Sequence, residues 1–336
     1  MTATIADVAA RAGVSTATVS RVLAGVGRAR PETQARVLEA ARALDYRPSE
    51  VARSLKRRST QTLGLVITDI ENPYFPQLVR SVEDAARAVG YTVLLCNAAD
   101  DPEREAAYLE LLADRRVDGL IIAASSLGVR HGEWLSAPPI PVVLVNTAAP
   151  DVGLPAITSD NEGGGRIAAE HLLALGHRRF GYLMPPPRNV DAPARLTGVR
   201  AALAAAGLSD DALVVAQGEP LVTGGEVAAL EILDRVPATT AFLAYNDLMA
   251  IGALRALRRC HRPVPASASV VGFDDVALAA YVDPPLTTIS QRTEEMGRWA
   301  VAQLTGNGSD TATTATSIRL PVYLHVRESS GPAPTG

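Results

Sequence analysis

The chain has 336 residues, 47% of them hydrophobic, and a formal net charge of −4. Its length predicts two or three domains, and the lack of any run of about 18 apolar residues argues against a membrane-spanning helix. The N-terminus lacks the basic and apolar segments of a signal peptide, so a cytoplasmic location is expected. Cys96 and Cys260 are far apart in sequence and belong to no CxxC or His/Cys cluster, so they are expected to be buried free thiols, with no metal site and no cofactor.

The charge is distributed unevenly along the chain. Residues 1–60 carry 11 Lys and Arg against five Asp and Glu, a net charge of +6, whereas the remaining residues carry −10. A basic segment joined to an acidic body is typical of a phosphate-binding module attached to a second function. The acidic body is expected to repel DNA, which would confine DNA contact to the N-terminal segment.

The first two predicted elements form a helix-turn-helix within residues 4–24, TIADVAARAGVSTATVSRVLA. Ile5, Val8 and Ala9 repeat at helical spacing, and Gly13 ends the first helix. A serine two residues later caps the second helix, whose exposed side chains are small and polar apart from one arginine. Such side chains suit base edges and phosphates in the DNA major groove. The candidate DNA-binding residues here are Ser15, Thr16, Ala17, Thr18, Ser20 and Arg21.

A third helix is predicted over residues 31–46, PETQARVLEAARALDY, with a proline in its first turn. After Pro48, a short helix is predicted from Ser49 to about Lys56. It is below the roughly 12–15 residues that persist alone in water. We therefore expect it to be ordered when two copies meet on DNA.

From Thr62 onward, short apolar runs alternate with helical segments. The strand candidates are TLGLVIT, YTVLLCN, VDGLIIA, IPVVLVN, RRFGYLM, ALVVAQ, TTAFLAY and SASVVGF, with helices predicted at 75–89, 102–115, 162–175, 194–206, 222–235 and 246–258. Near-continuous Val, Ile and Leu favour parallel strands that are buried on both faces. The pattern predicts two doubly wound α/β lobes, whose ligand would lie beyond the carboxyl ends of the strands.

Polar side chains follow several of these strands. Asp69, Asn146, Asn246 and Asp274 each come just after a strand, and Arg195 opens a helix. We expect these side chains to converge between the lobes, where they would offer donors and acceptors to vicinal hydroxyls. The alternative for Asn246 and Asp274 is that they only cap helices.

TIADVAARAGVSTATVSRVLAG followed by YRPSEVARSL resembles the headpiece and hinge helix of the LacI/GalR family of bacterial transcriptional regulators, and the resemblance runs to about residue 328. It implies that Thr16, Ala17 and Arg21 read base edges. It also implies that Leu55 wedges into the minor groove and kinks the operator, with Arg53 a further DNA-binding candidate in the hinge. The departures from the family pattern are Ala24, Ser49 and Pro220, which stand where Asn, Asn and an aromatic residue are common.

In the core, the resemblance implies that Arg195, within RLTG, grips the ligand. Asn246 and Asp274 match cleft motifs of the family, and Tyr74 and Phe75 match the aromatic edge of the first lobe; the alternative for the two aromatics is a place in the core. Asp191 is a candidate by position alone. The candidate effector-binding residues are Asp69, Tyr74, Phe75, Asn146, Asp191, Arg195, Asn246 and Asp274.

The predicted fold is a small all-α helix-turn-helix headpiece plus a periplasmic-binding-protein-like α/β core of two doubly wound parallel-sheet lobes. The predicted domains are a DNA-binding headpiece at 1–47, a hinge helix and linker at 48–60 and an effector-binding core at 61–330. Within the core, the first lobe is predicted at about 61–158 and 290–319, and the second at about 159–289 and 320–330.

The predicted function is a sequence-specific repressor that a small sugar-like effector releases from a palindromic operator. The tail RESSGPAPTG has no heptad repeat, so a homodimer is expected and the tail is expected to fray. A corepressor-dependent regulator that binds a purine-type ligand is the alternative. A sugar-binding transport protein or a sugar or nucleotide enzyme is more distant, because DNEGGGR at 160–166 lacks the phosphate-loop pattern and no nucleophile–base pair is apparent. The protein is expected to associate with the nucleoid when bound to its operator.

Overall fold

The computed structural model describes residues 3–23, 29–46, 59–123, 132–147, 153–306 and 317–334. The chain divides into two compact units, Met1–Gln61 and Thr62–Gly336. The predicted hinge residues Arg53 and Leu55, and the departures Ala24 and Ser49, lie outside the described residues.

The described part of the first unit contains three helices around one small core. They are α1 (Ile5–Ala12), α2 (Thr16–Leu23) and α3 (Pro31–Ala43). Each helix contributes one valine to the centre of the core, where Val8, Val19 and Val37 are completely buried. Gly13 ends α1 in the left-handed conformation with φ of 65°, which a residue without Cβ adopts freely. The predicted helix-turn-helix and third helix are confirmed.

The described part of the second unit contains two six-stranded sheets with helices between their strands. The first stretch of chain forms β1 (Thr62–Ile67), α4 (Tyr74–Ala88), β2 (Thr92–Asn97), α5 (Pro102–Asp114), β3 (Gly119–Ala123), α6 (Gly132–Ser136), β4 (Val142–Val145) and β5 (Ala156–Ser159). The second stretch forms α7 (Asn161–Ala174), β6 (Phe180–Met184), α8 (Ala192–Ala205), β7 (Leu213–Gln217), α9 (Val222–Arg235), β8 (Ala241–Ala244), α10 (Asp247–Arg259), β9 (Ser269–Asp274) and β10 (Thr287–Ser290). The last elements are α11 (Thr293–Thr305), β11 (Ser317–Leu320) and β12 (Tyr323–His325).

The two sheets define two lobes, and the chain passes between the lobes three times. The first sheet has the order β11-β5-β4-β3-β1-β2 and is entirely parallel. The second has the order β12-β10-β9-β8-β6-β7 and is parallel except for β12. The edge strand β12 is antiparallel because it enters its lobe from the cleft, where the parallel strands end. The prediction of two doubly wound lobes is confirmed, with this one edge strand as the exception.

Two predictions about burial are wrong. The edge strand β2 was expected to be buried on both faces, but Leu94 and Leu95 are 43% and 42% exposed. Adjacent strand residues point to opposite faces, so neither face of β2 is fully covered. Both cysteines are free, as predicted, but Cys96 on β2 is only half-buried and Cys260 is exposed at the end of α10.

The tail was predicted to fray, and for its described residues, 327–334, this prediction is also wrong. Ser329 is completely buried and its hydroxyl donates to the Val270 carbonyl oxygen at 2.6 Å. His177 is likewise completely buried, and its Nε2 lies 3.2 Å from the carbonyl oxygen of Gly331. These long-range contacts tie the tail to the second lobe. No helix among the described residues combines the length and apolar character needed to cross a bilayer.

Candidate functional site

In the first unit, the predicted DNA-binding residues lie at the start and along one side of α2. The Ser15 hydroxyl accepts a hydrogen bond from the Thr18 N–H at 3.2 Å and so caps the helix, as predicted. The Arg21 Nε donates to the carbonyl oxygen of Ala17 at 3.3 Å. Four of the predicted residues are exposed (Ser15, Thr16, Ala17, Arg21) and two are half-buried (Thr18, Ser20). The helix therefore presents small polar groups and one cation outward.

In the second unit, a cavity of about 800 Å³ lies between the two lobes. Its volume falls within the range of about 300–1,000 Å³ that is typical of small-molecule sites. The carboxyl ends of strands from both sheets meet there, which is where a doubly wound sheet binds its ligand. The candidate effector residues that line the cavity are Asp69, Tyr74, Phe75, Asn146, Asp191, Arg195 and Asp274.

Arg195, in the first turn of α8, is the central group of the second-lobe wall and is only 4% exposed. Its Nη2 donates to Asp191 at 2.6 Å, and its Nη1 donates to the Tyr245 carbonyl oxygen at 2.5 Å. Nη1 also lies 3.7 Å from Asp274, and the guanidinium stacks 3.6 Å from the ring centroid of Phe273. Burial disfavours the charge, but the neighbouring carboxylates more than offset burial and raise the pKa of Arg195.

Asp274 ends β9 in a backbone conformation that L-residues rarely adopt, with φ of 112°, and Asp275 follows with φ of 53°. A second buried carboxylate holds this turn. Asp247 accepts the Val276 N–H at 2.8 Å and the Thr288 hydroxyl at 2.5 Å. Strained residues that their surroundings hold in place are common at functional sites. Burial raises the pKa of the Asp247 carboxyl well above its ordinary value.

The Asp274 carboxyl is expected to make stability depend on pH. Burial raises its pKa to about 7, although Arg195 and the Gln291 side chain favour the ionised form. The unfolded chain loses this proton near pH 4, so the folded state binds more protons between about pH 4 and about pH 7. The contribution of Asp274 to the free energy of unfolding is therefore fully present below the unfolded pKa. It is lost as the pH rises through about 7, at up to about 1.4 kcal/mol per pH unit.

This expectation is tested by urea unfolding of the unmodified chain and of Asp274→Asn from about pH 5 to about pH 8. The unmodified chain should lose stability relative to the variant as the pH rises. Asp283→Asn is the control, because the Asp283 side chain is 93% exposed. A difference between the unmodified chain and Asp274→Asn that stays constant with pH would contradict the assignment.

A chain of hydrogen bonds joins the two lobes at the base of the cavity, and Gln291 is its centre. Gln291 follows β10, where the chain passes from the second lobe to the first. Its Oε1 accepts from Asn146 Nδ2 at 2.8 Å and from the Ser159 hydroxyl at 2.5 Å, while its Nε2 donates to Asp274 at 2.7 Å. Asn146 Nδ2 also donates to the Tyr74 hydroxyl at 2.5 Å. A ligand that bonds to Asn146 or Asp274 therefore acts on a network shared by both lobes.

Asn246 lies elsewhere: it is not among the residues that line the cavity. Its Oδ1 accepts the Met249 N–H at 2.9 Å and caps α10, and its Nδ2 donates to the carbonyl oxygen of Pro220 at 3.1 Å. The contacts of Asn246 are therefore those of a helix cap, as in the alternative interpretation. Its link to the cavity wall is the hydrogen bond to Pro220, which lines the cavity. Tyr74 and Phe75 line the cavity and also belong to the core, with their rings edge to face at 5.3 Å.

Several residues that line the cavity were not predicted from the sequence. The missed polar and aromatic residues include Asp100, Glu105, Arg188, Asn189, Glu219, Tyr245 and Gln291. Asp100 follows β2 much as Asp69 follows β1, so the rule that found Asp69 would have found it. Gln291 follows the short strand TTIS. That strand was not predicted, because its threonines are polar, and so the residue after it was not recognised either. Arg188 and Asn189 lie between β6 and α8, where no sequence pattern marks a position.

Comparison with known proteins identifies relatives of both units. Residues 4–49 match the family described as bacterial regulatory proteins, lacI family, and residues 169–330 match a periplasmic binding protein-like domain. The HTH-type transcriptional repressor PurR of Haemophilus influenzae (strain PittEE) is 36% identical over 300 residues, 89% of each chain. The HTH-type transcriptional regulator DegA of Bacillus subtilis (strain 168) is 34% identical over 340 residues, the whole of both chains.

Solved structures share the fold across most or nearly all of the chain. The lac repressor dimer bound to operator and the anti-inducer ONPF has a TM-score of 0.88 at 28% identity, and the match covers 98% of this chain and 100% of that one. The complex of the transcriptional regulator CelR with cellobiose has a TM-score of 0.72 at 32% identity, with 97% and 99% covered. A regulator from Enterococcus faecium with bound ribose has a TM-score of 0.72 at 30% identity, with 81% and 99% covered. The chain belongs to the LacI family of bacterial transcriptional regulators.

Proposed function

We propose that this regulator is a repressor that a sugar-like effector, bound between the two lobes, releases from a palindromic operator. The observation that carries the proposal is the hydrogen-bond chain from Asn146 through Gln291 to Asp274 at the base of the cavity. These groups belong to both lobes, so a ligand that bonds to them changes the free energy of one arrangement of the lobes relative to another.

The chemistry of the cavity suits a hydroxyl-rich ligand. Arg195 supplies donors and Asp274 supplies acceptors, which matches the paired donor and acceptor character of neighbouring hydroxyls. The aromatic rings of Tyr74 and Phe75 add apolar surface for the face of a sugar ring. Similar structures whose descriptions name ribose or cellobiose support the same ligand class. A purine-type corepressor is the outcome that would replace this assignment.

The proposed mechanism is a population shift between arrangements of the lobes. Effector binding and operator binding are coupled, typically by about 1–3 kcal/mol, and the coupling is reciprocal. DNA must weaken effector binding by the same factor by which the effector weakens DNA binding. The proposed DNA contacts are those of α2, together with Arg53 and Leu55 of the hinge.

We propose a cytoplasmic homodimer, because helix-turn-helix proteins read palindromic operators as two-fold pairs. The second unit exposes large apolar side chains that a partner subunit would cover. Leu94 and Leu95 are exposed on the edge strand of the first lobe, and Tyr281 in the second lobe is 85% exposed. Sedimentation at micromolar concentration should show a dimer.

Arg21→Ala is expected to weaken operator binding by about 1–3 kcal/mol, because a guanidinium that reads guanine contributes that much discrimination. The operator is first obtained by selection from a randomised DNA library, and affinities are then measured by fluorescence anisotropy on selected and scrambled duplexes. Arg36→Ala is the matched control, since Arg36 is also exposed but lies on α3. Equal losses in both variants, or a loss of effector affinity in Arg21→Ala, would contradict the division of roles.

A further inference from the structure

The positive charges in the cavity are already paired. Among the described residues that line the cavity, Arg188 and Arg195 supply the cationic groups, and both belong to the second lobe. Arg195 pairs with Asp191 at 2.6 Å, and Arg188 pairs with Glu219. An anionic ligand would have to share these cations with carboxylates that already neutralise their charge. If it replaced Asp191 at Arg195, it would leave a half-buried aspartate, 18% exposed, without its cation, which is unfavourable.

The first-lobe wall of the cavity carries only negative charge among its described residues. Asp69 and Asp100 line it, and no Lys, Arg or His is among the described first-lobe residues that line the cavity. Partial desolvation raises the pKa of the Asp100 carboxyl, although the residue is exposed at the cavity surface; Arg188 opposes that shift, whereas Asp69 and Glu219 add to it. Acidic groups of both walls therefore line the same cavity. An anion in the cavity would be repelled by them.

Asn189 supplies a second, independent observation. It lines the cavity next to Arg188 in sequence, and its Oδ1 is buried without a hydrogen-bond partner among the described residues. Buried acceptors in folded proteins are normally hydrogen-bonded. A ligand hydroxyl that reaches this oxygen would satisfy it, whereas a phosphate dianion in the same place offers only acceptors.

We infer that the cleft selects an uncharged, hydroxyl-rich effector and rejects the phosphorylated form of the same molecule. The inference rests on the proposed function, because it concerns the ligand of the same cleft. Hydroxyls donate to the carboxylates and to Asn189, whereas a phosphate group places two negative charges beside them. The regulator would then sense the substrate of a phosphorylation reaction and not its product.

The electrostatic part of the inference is testable without knowing the effector. Thr68 lines the cavity next to Asp69, and its carbonyl oxygen accepts a hydrogen bond from the Asp100 N–H at 2.9 Å. Cysteine is close to threonine in size. Thr68→Cys is made in a chain whose Cys96 and Cys260 are replaced by serine. The rates of its reaction with a cationic and an anionic methanethiosulfonate reagent are then compared, each divided by the rate of the same reagent with a small free thiol, because the two reagents differ in intrinsic reactivity. We expect the cationic reagent to be favoured by about tenfold or more at low salt.

The full-length chain with Asp69→Asn and Asp100→Asn is expected to lose most of that preference. The matched control is Asp210→Asn with Asp211→Asn, which makes the same change in charge at two exposed carboxylates outside the cavity lining. The control should retain the preference. Equal normalised rates for the two reagents in the parent chain, or an equal fall in the preference in both double variants, would overturn the inference.

A ligand panel of matched pairs completes the test. Ribose and ribose 5-phosphate, glucose and glucose 6-phosphate, and adenosine and its monophosphate are compared by calorimetry and by operator release. Binding of a phosphorylated member at least as tight as that of its uncharged twin would overturn the inference, even if it releases the operator and so supports the proposed function. If the thiol rates hold but no small molecule of any charge alters operator binding, the proposed function fails while the charge selectivity of the cleft stands.

Discussion

Arg195→Ala is expected to abolish the effector response and to lower the free energy of unfolding by about 3–5 kcal/mol. The guanidinium is buried, donates to Asp191 and the Tyr245 carbonyl, and stacks on Phe273. Its removal leaves Asp191 without a cation and raises the pKa of Asp274 further. Protonation of Asp274 relieves part of the loss, because a neutral carboxyl is easier to bury than a carboxylate.

Urea unfolding and operator release measure the two effects separately. Arg200→Ala is the matched control, because Arg200 lies on the same helix α8 but is exposed. The free energy of unfolding of the control should stay within about 0.5 kcal/mol of that of the unmodified chain, and the control should keep its effector response. An Arg195→Ala protein that unfolds at the same urea concentration as the control, or that still releases the operator when effector is added, would refute the role assigned to Arg195.

Gly165→Ala is expected to destabilise the protein by about 3 kcal/mol or more, at the upper end of the range for overpacking. Helices α7 and α8 approach so closely here that a Cβ on Gly165 would lie 2.0 Å from the backbone carbonyl oxygen of Arg195. Backbone cannot move aside as a flexible side chain can, so the helices must separate. Alanine gains only about 1 kcal/mol in helix propensity, which does not offset this.

Because the contact is with the backbone of Arg195, the change should also move that side chain and weaken effector binding. Gly132→Ala is the matched control, since a Cβ added there meets no atom of the described residues within 4 Å. Unfolding midpoints and effector affinities are measured on both variants. Equal stability of the two would contradict the close packing of α7 on α8.

The parts of the fold that local sequence determines were predictable. Helical spacing and the caps at Gly13 and Ser15 specified the helix-turn-helix, and long apolar runs specified eight strands of the core. The strands β5, β10, β11 and β12 were not found, because they are three or four residues long and mix polar with apolar side chains. Their pairing depends on partners that are distant in sequence.

Some residues of the candidate site were likewise predictable from the sequence, and others were not. Asp69, Asn146 and Asp274 were found because parallel strands end at the cleft, so the residues after strands converge there. Gln291 was missed because its importance comes from bonds to Asn146 and Asp274, more than ten residues away in sequence. The order of the tail also depends on long-range contacts with buried groups such as His177, which no local pattern reveals.

The most direct test of effector-controlled operator binding is selection from a randomised DNA library with the full-length protein, repeated with a panel of sugars and nucleobases. We expect a palindromic sequence to be enriched without ligand and its enrichment to be abolished by one uncharged sugar. Enrichment only when a purine is present would contradict sugar induction and identify a corepressor instead. The absence of an enriched palindrome under every condition would contradict operator binding through α2 itself.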